Sequence, residues 1–369
     1  MSITNGINQR LALTCHRPRR TEWLKASALA LVSLFVLIGG QVEARAAVNS
    51  DASVGGLTAK FVDVRGVRTR YYEMGQGEPM VMIHGGSMAG SSTANVFSRN
   101  IPGLGKRFHV FALDRLASGM TGNPLDDKNY NYASEADFIY QFIETLKLGP
   151  VHLVGHSAGG AIAFFLAIEH PEAVKTLVII AAGPEDPDVI VGPAKLDASL
   201  PKCPDQSSYE GLKCRVTILA WLPTTFDDEY WAADAYMASQ PKTREARAKL
   251  NAGAGEPLRT KEFRAYLAKM WDRVRNDGVL QMPVLLYGGK NDVLDWGAND
   301  ETAKMQRELA LFDIIAARNT NVQMIIQNNG GHFMYREYPG KFNADLIGFI
   351  DYYERHPERK PQGNAQGPR

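Results

Sequence analysis

Cysteine is scarce: there are three in 369 residues, and no Cys-x-x-Cys pair. That excludes a disulfide-built miniature fold and offers no zinc-ribbon spacing. An excess of either charge is also lacking. Lys and Arg number 41 against 40 Asp and Glu, a formal net charge of +1, so the chain does not read as a nucleic-acid binder. No internal repeat runs at a fixed period. The apolar stretch at residues 26–38 is 13 residues long, short of the roughly 20 needed to span a bilayer. Gly and Pro number 34 and 19 and follow no period, which removes collagen-like and low-complexity readings. What is present is a composition 45% hydrophobic and 22% charged, that of a folded protein. The length permits two domains, or one large α/β domain with an insertion.

The first 46 residues differ from the rest. Arg10, Arg17, Arg19, Arg20 and Lys25 precede an uncharged apolar core, and Ala44-Arg45-Ala46 follows it. A basic segment, a short apolar core and an Ala-x-Ala site, in that order, predict a secretory signal peptide over 1–46. Arg19-Arg20-Thr21-Glu22-Trp23-Leu24-Lys25 resembles a twin-arginine export signal; an ordinary general-secretion signal is the alternative. The protein is thus expected to be exported, periplasmic or secreted. Removing the leader's six basic and two acidic residues leaves 35 basic and 38 acidic, a net charge of −3. Cys15 leaves with the leader. Cys203 and Cys214 remain, and in an oxidising compartment they are a candidate disulfide.

The mature chain alternates short apolar runs with helical patterns. Strands are expected at 61–64, 67–73, 79–83, 108–113, 151–154, 177–181, 282–287 and 322–326. Helices are expected at 132–146, 161–169, 301–317 and 341–353. Buried strands alternating with helices mean a mostly parallel sheet covered on both faces. Between residues 184 and 280 the rhythm stops, and aromatic-rich segments take over. That interval reads as a mostly helical cap inserted into a core made of 61–183 and 281–355. Residues 47–60 are expected to be a flexible lead-in, and 356–369 a disordered tail.

Gly155-His156-Ser157-Ala158-Gly159 lies between a strand and a helix. This is the Gly-x-Ser-x-Gly nucleophile elbow, in which a tight turn leaves a serine hydroxyl free at the N-terminus of a helix. The elbow requires an acid and then a histidine further along the chain. Asp292 follows the strand at 282–287, and His332 follows the strand at 322–326. His332 would take the Ser157 proton, and Asp292 would fix the imidazole and stabilise its charged form. Asp295 and Asp186 are alternatives for the acid. His109 and His152 read as core or structural, His170 ends a helix, His356 lies in the tail, and His156 is expected to point away from the nucleophile. The oxyanion hole needs two backbone donors. Ala158 and Gly86 are the candidates, with Ser87 secondary, since His84-Gly85-Gly86-Ser87 follows a buried strand.

With these residues in place, the chain from about residue 61 to 353 resembles the α/β-hydrolase superfamily. His84-Gly85-Gly86, Asp114 through Gly119, the elbow, Asp292 and His332 carry the resemblance. It implies an eight-stranded, mostly parallel sheet with helices on both faces and a cap after the sixth strand. The stretch from Ala94 to Tyr132 looks like the meta-cleavage-product hydrolases and related esterases. Ser157 argues against the dehalogenases and epoxide hydrolases of the superfamily, which use Asp at the elbow. Meta-cleavage hydrolases usually carry Asn before the nucleophile, whereas His156 stands here, as in many esterases. Their substrates also arise inside the cell. The expectation is therefore an exported serine carboxylesterase acting on small to medium hydrophobic or aryl esters, or lactones, through an acyl-enzyme. C–C hydrolysis and cofactor-free perhydrolysis on the same triad are the alternatives. No metal or organic cofactor is expected. Beyond a small-molecule substrate no partner is expected, neither nucleic acid nor, after signal cleavage, membrane.

Overall fold

A computed structural model describes residues 48–90, 92–182, 201–204, 208–255, 261–294 and 306–356. The leader at 1–46, the tail beyond 356, and the alternative acids Asp186 and Asp295 lie outside the described residues.

Eight strands form one sheet: β1 (Ala59–Val64), β2 (Val67–Met74), β3 (Pro79–Ile83), β4 (His109–Leu113), β5 (Val151–His156), β6 (Val174–Ile180), β7 (Val284–Gly289) and β8 (Val322–Gln327). Their spatial order is β1-β2-β4-β3-β5-β6-β7-β8. β1 and β2 pair antiparallel, as do β2 and β4, and every later pair is parallel. This is the expected α/β sheet. β5, carrying the elbow, lies between β3 and β6, so residues at its carboxyl end meet loops from both neighbours. That end is where open parallel sheets place their ligands.

The strands alternate between two cores, as period-two side chains must. Val81 and Ile83 face one core and Met80 and Met82 the other; Leu177 and Ile179 oppose Val178 and Ile180. In chain order the helices are α1 (Ile101–Leu104), α2 (Tyr132–Thr145), α3 (Ala158–Glu169), α4 (Tyr209–Leu219), α5 (Asp228–Ala238), α6 (Pro241–Asn251), α7 (Lys261–Asp272), α8 (Gln306–Ala316), α9 (Met334–Glu337) and α10 (Pro339–Arg355). α2 and α3 cover the first face through Phe138, Ile139, Phe142, Ile162 and Phe165. α10 covers the second through Phe342, Leu346, Phe349 and Ile350. α3 is apolar on nearly every side and buried throughout its middle, the mark of a central helix rather than a surface one. It starts at Ala158, three residues before the position expected from periodicity. Gly159 and Gly160 weaken the apolar pattern there without preventing the turn.

Among the described residues, the interval between β6 and β7 holds α4 to α7 and a π-helical turn at Arg273–Asp277, with no strand. Cys203 and Cys214 are bonded, which ties α4 to the segment before it.

The segment expected to be a flexible lead-in, 47–60, is instead docked where it is described. Ala52 and Val54 are buried against Ala233 and Met237 of α5. The reason is polar. The buried Arg70 guanidinium pairs with Asp114 at 3.1 Å and donates to the carbonyls of Asp51 at 2.7 Å and Ala52 at 3.1 Å. A buried cation needs such acceptors, and this segment supplies them. From Ala59 onward it is β1.

Replacing both Cys203 and Cys214 with Ser should destabilise the protein by about 2–3 kcal/mol, the chain-entropy value for so short a loop. The midpoint of urea unfolding is the readout, and an unchanged midpoint would show that the bond contributes nothing.

Candidate active site

Ser157 sits at φ 53°, ψ −125°, a left-handed conformation that costs a non-glycine residue roughly 1–3 kcal/mol. Its surroundings enforce it. The Ser157 amide donates to the carbonyl of Ile180 on β6 at 2.9 Å, and its carbonyl accepts from Gly160 at 2.7 Å. The flanking glycines leave no room for alternatives. A Cβ at Gly155 would lie 2.3 Å from the Gly159 carbonyl oxygen, and one at Gly159 would lie 2.3 Å from that of Ile83. A Cβ at Gly85 would come within 2.7 Å of the Ser157 Cβ. The β3 loop therefore crosses directly over the nucleophile turn, closer than any side chain allows.

The acid and the histidine meet as the chain order requires. His332 Nδ1 lies 2.5 Å from Asp292 Oδ2, and both residues are buried. The Leu294 amide donates to the other Asp292 oxygen at 2.9 Å, which fixes the carboxylate plane. The two loops are also joined through backbone: the Asn291 amide donates to the Gly330 carbonyl at 2.9 Å, and a Cβ on Gly289 would lie 2.4 Å from the Gly331 oxygen. With Nδ1–H held by a carboxylate, Nε2 of a neutral His332 is left as the basic nitrogen.

Ser157, His332, Gly86 and Ala158 line one cavity of about 330 Å³. Gly86 has φ +79°. No acceptor is found for the Gly86 or the Ala158 amide among the described residues. Two unengaged amides beside a serine at a helix N-terminus can stabilise an oxyanion. The sequence-derived set of Ser157, Asp292, His332, Gly86 and Ala158 is thus brought to one place, with Ser87 at its edge.

The roles of four residues, Arg115, Glu135, His156 and Glu337, escaped the sequence reading. Arg115 is fully buried. One of its guanidinium nitrogens donates to three successive carbonyls, of His84 at 3.2 Å, Gly85 at 3.1 Å and Gly86 at 2.8 Å. Glu135 accepts from the other two nitrogens at 2.9 and 2.7 Å. Three carbonyls drawn toward one cation fix the peptide planes of the loop that carries the Gly86 amide. His84 itself is neutral. Burial, with the Arg115 charge adding to it, pushes its pKa down to about 3. It donates from Nδ1 to the Gly85 carbonyl at 2.8 Å and accepts the Arg115 amide at 3.0 Å.

His156 lines the same cavity as Ser157, and its ring lies 4.6 Å from that of His332. Burial holds its pKa well below the usual imidazole range. Nε2–H donates to the His332 carbonyl at 2.8 Å, and the Tyr335 hydroxyl donates to Nδ1 at 3.2 Å. The residue before the nucleophile therefore holds the backbone of the catalytic base. Glu337 completes the clamp. It accepts the Gly331 amide at 2.9 Å and the Trp221 amide at 2.7 Å, while the His332 amide donates to the Leu219 carbonyl at 2.9 Å. The histidine loop and the end of α4 are one hydrogen-bonded unit. His156 stands in the elbow and Arg115 in the Asp114–Gly119 stretch, but only tertiary neighbours give Arg115, Glu135, His156 and Glu337 these roles.

Glu78, His152 and Glu354 bring ligand-type atoms within 4.8 Å of one another. Lys175 already donates to Glu78 at 2.6 Å and Arg107 to Glu354 at 2.5 Å. Side-chain cations therefore satisfy the carboxylates, and the cluster does not fit a metal. His109 hydrogen-bonds Glu73, and His170 stacks on Tyr140; both are structural.

The chain matches the family model of the alpha/beta hydrolase fold over residues 78–337. It is 29% identical over 287 residues to a 2-hydroxymuconate semialdehyde hydrolase of Pseudomonas sp. (strain CF600), covering 77% of this chain and 90% of that protein. It is 34% identical over 134 residues to a 2-hydroxy-6-oxo-6-(2'-aminophenyl)hexa-2,4-dienoic acid hydrolase of Metapseudomonas resinovorans, a match spanning 45% of that relative's length. Among solved structures, a serine hydrolase involved in carbazole degradation superposes with a TM-score of 0.57 at 23% identity, covering 80% of this chain and 99% of the other. The chain belongs to the α/β-hydrolase family.

Arg115→Met should lower kcat by about 10- to 100-fold, the cost of misplacing one oxyanion donor, with a smaller change in KM. Steady-state kinetics on any turned-over ester provides the check. An unaltered kcat in a folded variant would remove Arg115 from the positioning role.

Proposed function

For this α/β-hydrolase we propose a serine hydrolase that cleaves a bond to a carbonyl carbon through an acyl-enzyme. The observation that carries it is the hydrogen bond between Asp292 and His332, which lines the same cavity as Ser157. His332 Nε2 takes the Ser157 proton as Oγ attacks the carbonyl carbon. The Gly86 and Ala158 amides receive the developing oxyanion. The bond to the leaving group breaks, and His332 returns the proton to that group. A water molecule, deprotonated by His332, then releases the acid and restores Ser157. The net reaction adds one water across the cleaved bond.

The relatives favour C–C cleavage of the meta-cleavage type, on a 2-hydroxy-6-oxo dienoic acid. Two relatives matched over 90% and 95% of their own length are a 2-hydroxymuconate semialdehyde hydrolase and a 2-hydroxy-6-oxononadienedioate/2-hydroxy-6-oxononatrienedioate hydrolase. There the leaving group is a carbon, and the proton from His332 goes to it. Ester hydrolysis, the reading first drawn from the sequence, stands second. It is supported by His156, which occupies the position before the nucleophile and binds the His332 backbone. Export by the leader at 1–46 goes with the ester reading, because meta-cleavage substrates arise inside the cell; it is supported by the Cys203–Cys214 bond, since such bonds persist in oxidising compartments.

A synthetic 2-hydroxy-6-oxo dienoate and a short-chain nitrophenyl ester, each assayed with wild type and Ser157→Ala, provide the test. Turnover should fall on the order of 10⁴-fold or more in the variant. Equal rates would sink the nucleophile assignment. A higher kcat/KM for the ester than for the dienoate would reverse the order of the two readings. In protein recovered after export, mass spectrometry should find Ala47 at the N-terminus; an intact 1–46 would refute cleavage.

A further inference from the structure

A buried hydroxyl in the cavity wall is left without a partner. Ser92 lines the cavity that Ser157, His332, Gly86 and Ala158 share. It is only 6% exposed, and its Oγ has no hydrogen-bond partner among the described residues. Such a group is destabilising, because burial removes its water and the protein offers nothing in exchange. Two other buried serines are bonded: Ser53 Oγ donates to Asp51 at 2.6 Å, and Ser98 Oγ accepts from Arg336 at 2.9 Å.

The loop leaving β3 sets the position of Ser92. After Gly86 the chain turns tightly, and the Gly90 amide donates to the Ser87 carbonyl at 3.0 Å. The chain then returns to Gly86. A Cβ at Gly86 would lie 2.9 Å from the Ser92 Cβ and 3.9 Å from its Oγ. Ser92 therefore stands beside the residue whose amide is to receive the oxyanion. The backbone that follows it is fixed: Thr93 Oγ1 accepts the Asn95 amide at 3.3 Å, and the Ala94 amide donates to the buried Asp114 at 2.8 Å. A serine side chain has three staggered positions. A hydroxyl that makes no bond gives none up in turning toward an arriving acceptor.

We propose that Ser92 is a catalytic residue, whose hydroxyl donates a third hydrogen bond to the oxyanion beside the Gly86 and Ala158 amides. The proposal rests on the serine-hydrolase reading and applies to either bond type. As Ser157 Oγ bonds to the carbonyl carbon, the π pair of the carbonyl moves onto oxygen and the Ser157 proton moves to His332. The oxygen then carries a full charge. A hydroxyl bonds to such an oxygen at shorter distance and more strongly than to a neutral carbonyl. The gain is thus larger in the transition state than with bound substrate, and only such a difference raises the rate. It also accounts for the unpaired hydroxyl. Replacing it would relieve the resting protein at the expense of the reaction, the usual trade-off at a preorganised site.

Phenethyl trifluoromethyl ketone and phenethyl methyl ketone separate the two states. The first adds Ser157 Oγ at its carbonyl carbon and places an oxyanion in the site; the second stays a neutral carbonyl. In Ser92→Ala the inhibition constant of the trifluoromethyl ketone should rise about 10- to 100-fold. kcat/KM for nitrophenyl butyrate should fall by the same factor, and the constant for the methyl ketone should stay within about twofold. The midpoint of urea unfolding should be unchanged or higher. Equal inhibition of wild type and Ser92→Ala by the trifluoromethyl ketone would overturn the proposal. So would a matching rise for both ketones, which makes Ser92 a ground-state contact, or a lowered midpoint, which makes it structural. Inhibition of wild type but not of Ser157→Ala by the trifluoromethyl ketone upholds the serine-hydrolase reading whatever Ser92→Ala does. No inhibition of wild type would remove that reading and this proposal with it.

Discussion

Backbone contact at the elbow governs the site. Ser157 is held at φ 53° between two glycines whose missing side chains admit carbonyl oxygens at 2.3 Å from where a Cβ would be. That crowding presses the end of β5 and the start of α3 against the loop leaving β3. The nucleophile and the loop bearing the Gly86 amide are thereby fixed relative to each other before any substrate arrives. A preorganised donor costs no reorganisation during reaction. The local strain is sustained by the sheet around it: β5 is flanked by β3 and β6, and the Ser157 amide is bonded to β6.

Buried polar residues extend this constraint outward. Arg115 gathers three carbonyls of the β3 loop and is neutralised by Glu135. His156 and Glu337 secure the backbone on either side of the His332 side chain and connect it to the end of α4. Partly satisfied polar networks are costly in a low-dielectric interior, and fully bonded ones are rigid. Here the bonded members surround the triad, and the buried Ser92 hydroxyl, without a partner among the described residues, lines the cavity.

All eight strands were legible in the sequence, because buried parallel strands are short apolar runs bounded by turn residues. The triad was legible for a different reason. The elbow is a local backbone requirement, and the order of acid and histidine follows from where the sheet places its loops. The roles of Arg115, Glu135, His156 and Glu337 were not, since their partners are backbone groups or side chains brought close only by the fold. The segment 47–60 misled for a related reason. Its small polar residues carry no apolar signal, yet the carbonyls of Asp51 and Ala52 are what the buried Arg70 requires. Helix starts shifted where glycine diluted the periodicity, as at Ala158.

The central claim is that Ser157 is a nucleophile activated by His332 and faced by two oxyanion donors. Reaction with a fluorophosphonate followed by peptide mass spectrometry tests this most directly, since such reagents form a covalent bond only with an activated hydroxyl. The expected result is a single adduct on Ser157, formed rapidly in the wild type and on the order of 10³-fold or more slowly in His332→Ala. An adduct on another residue, or equal labelling of Ser157 without His332, would contradict it.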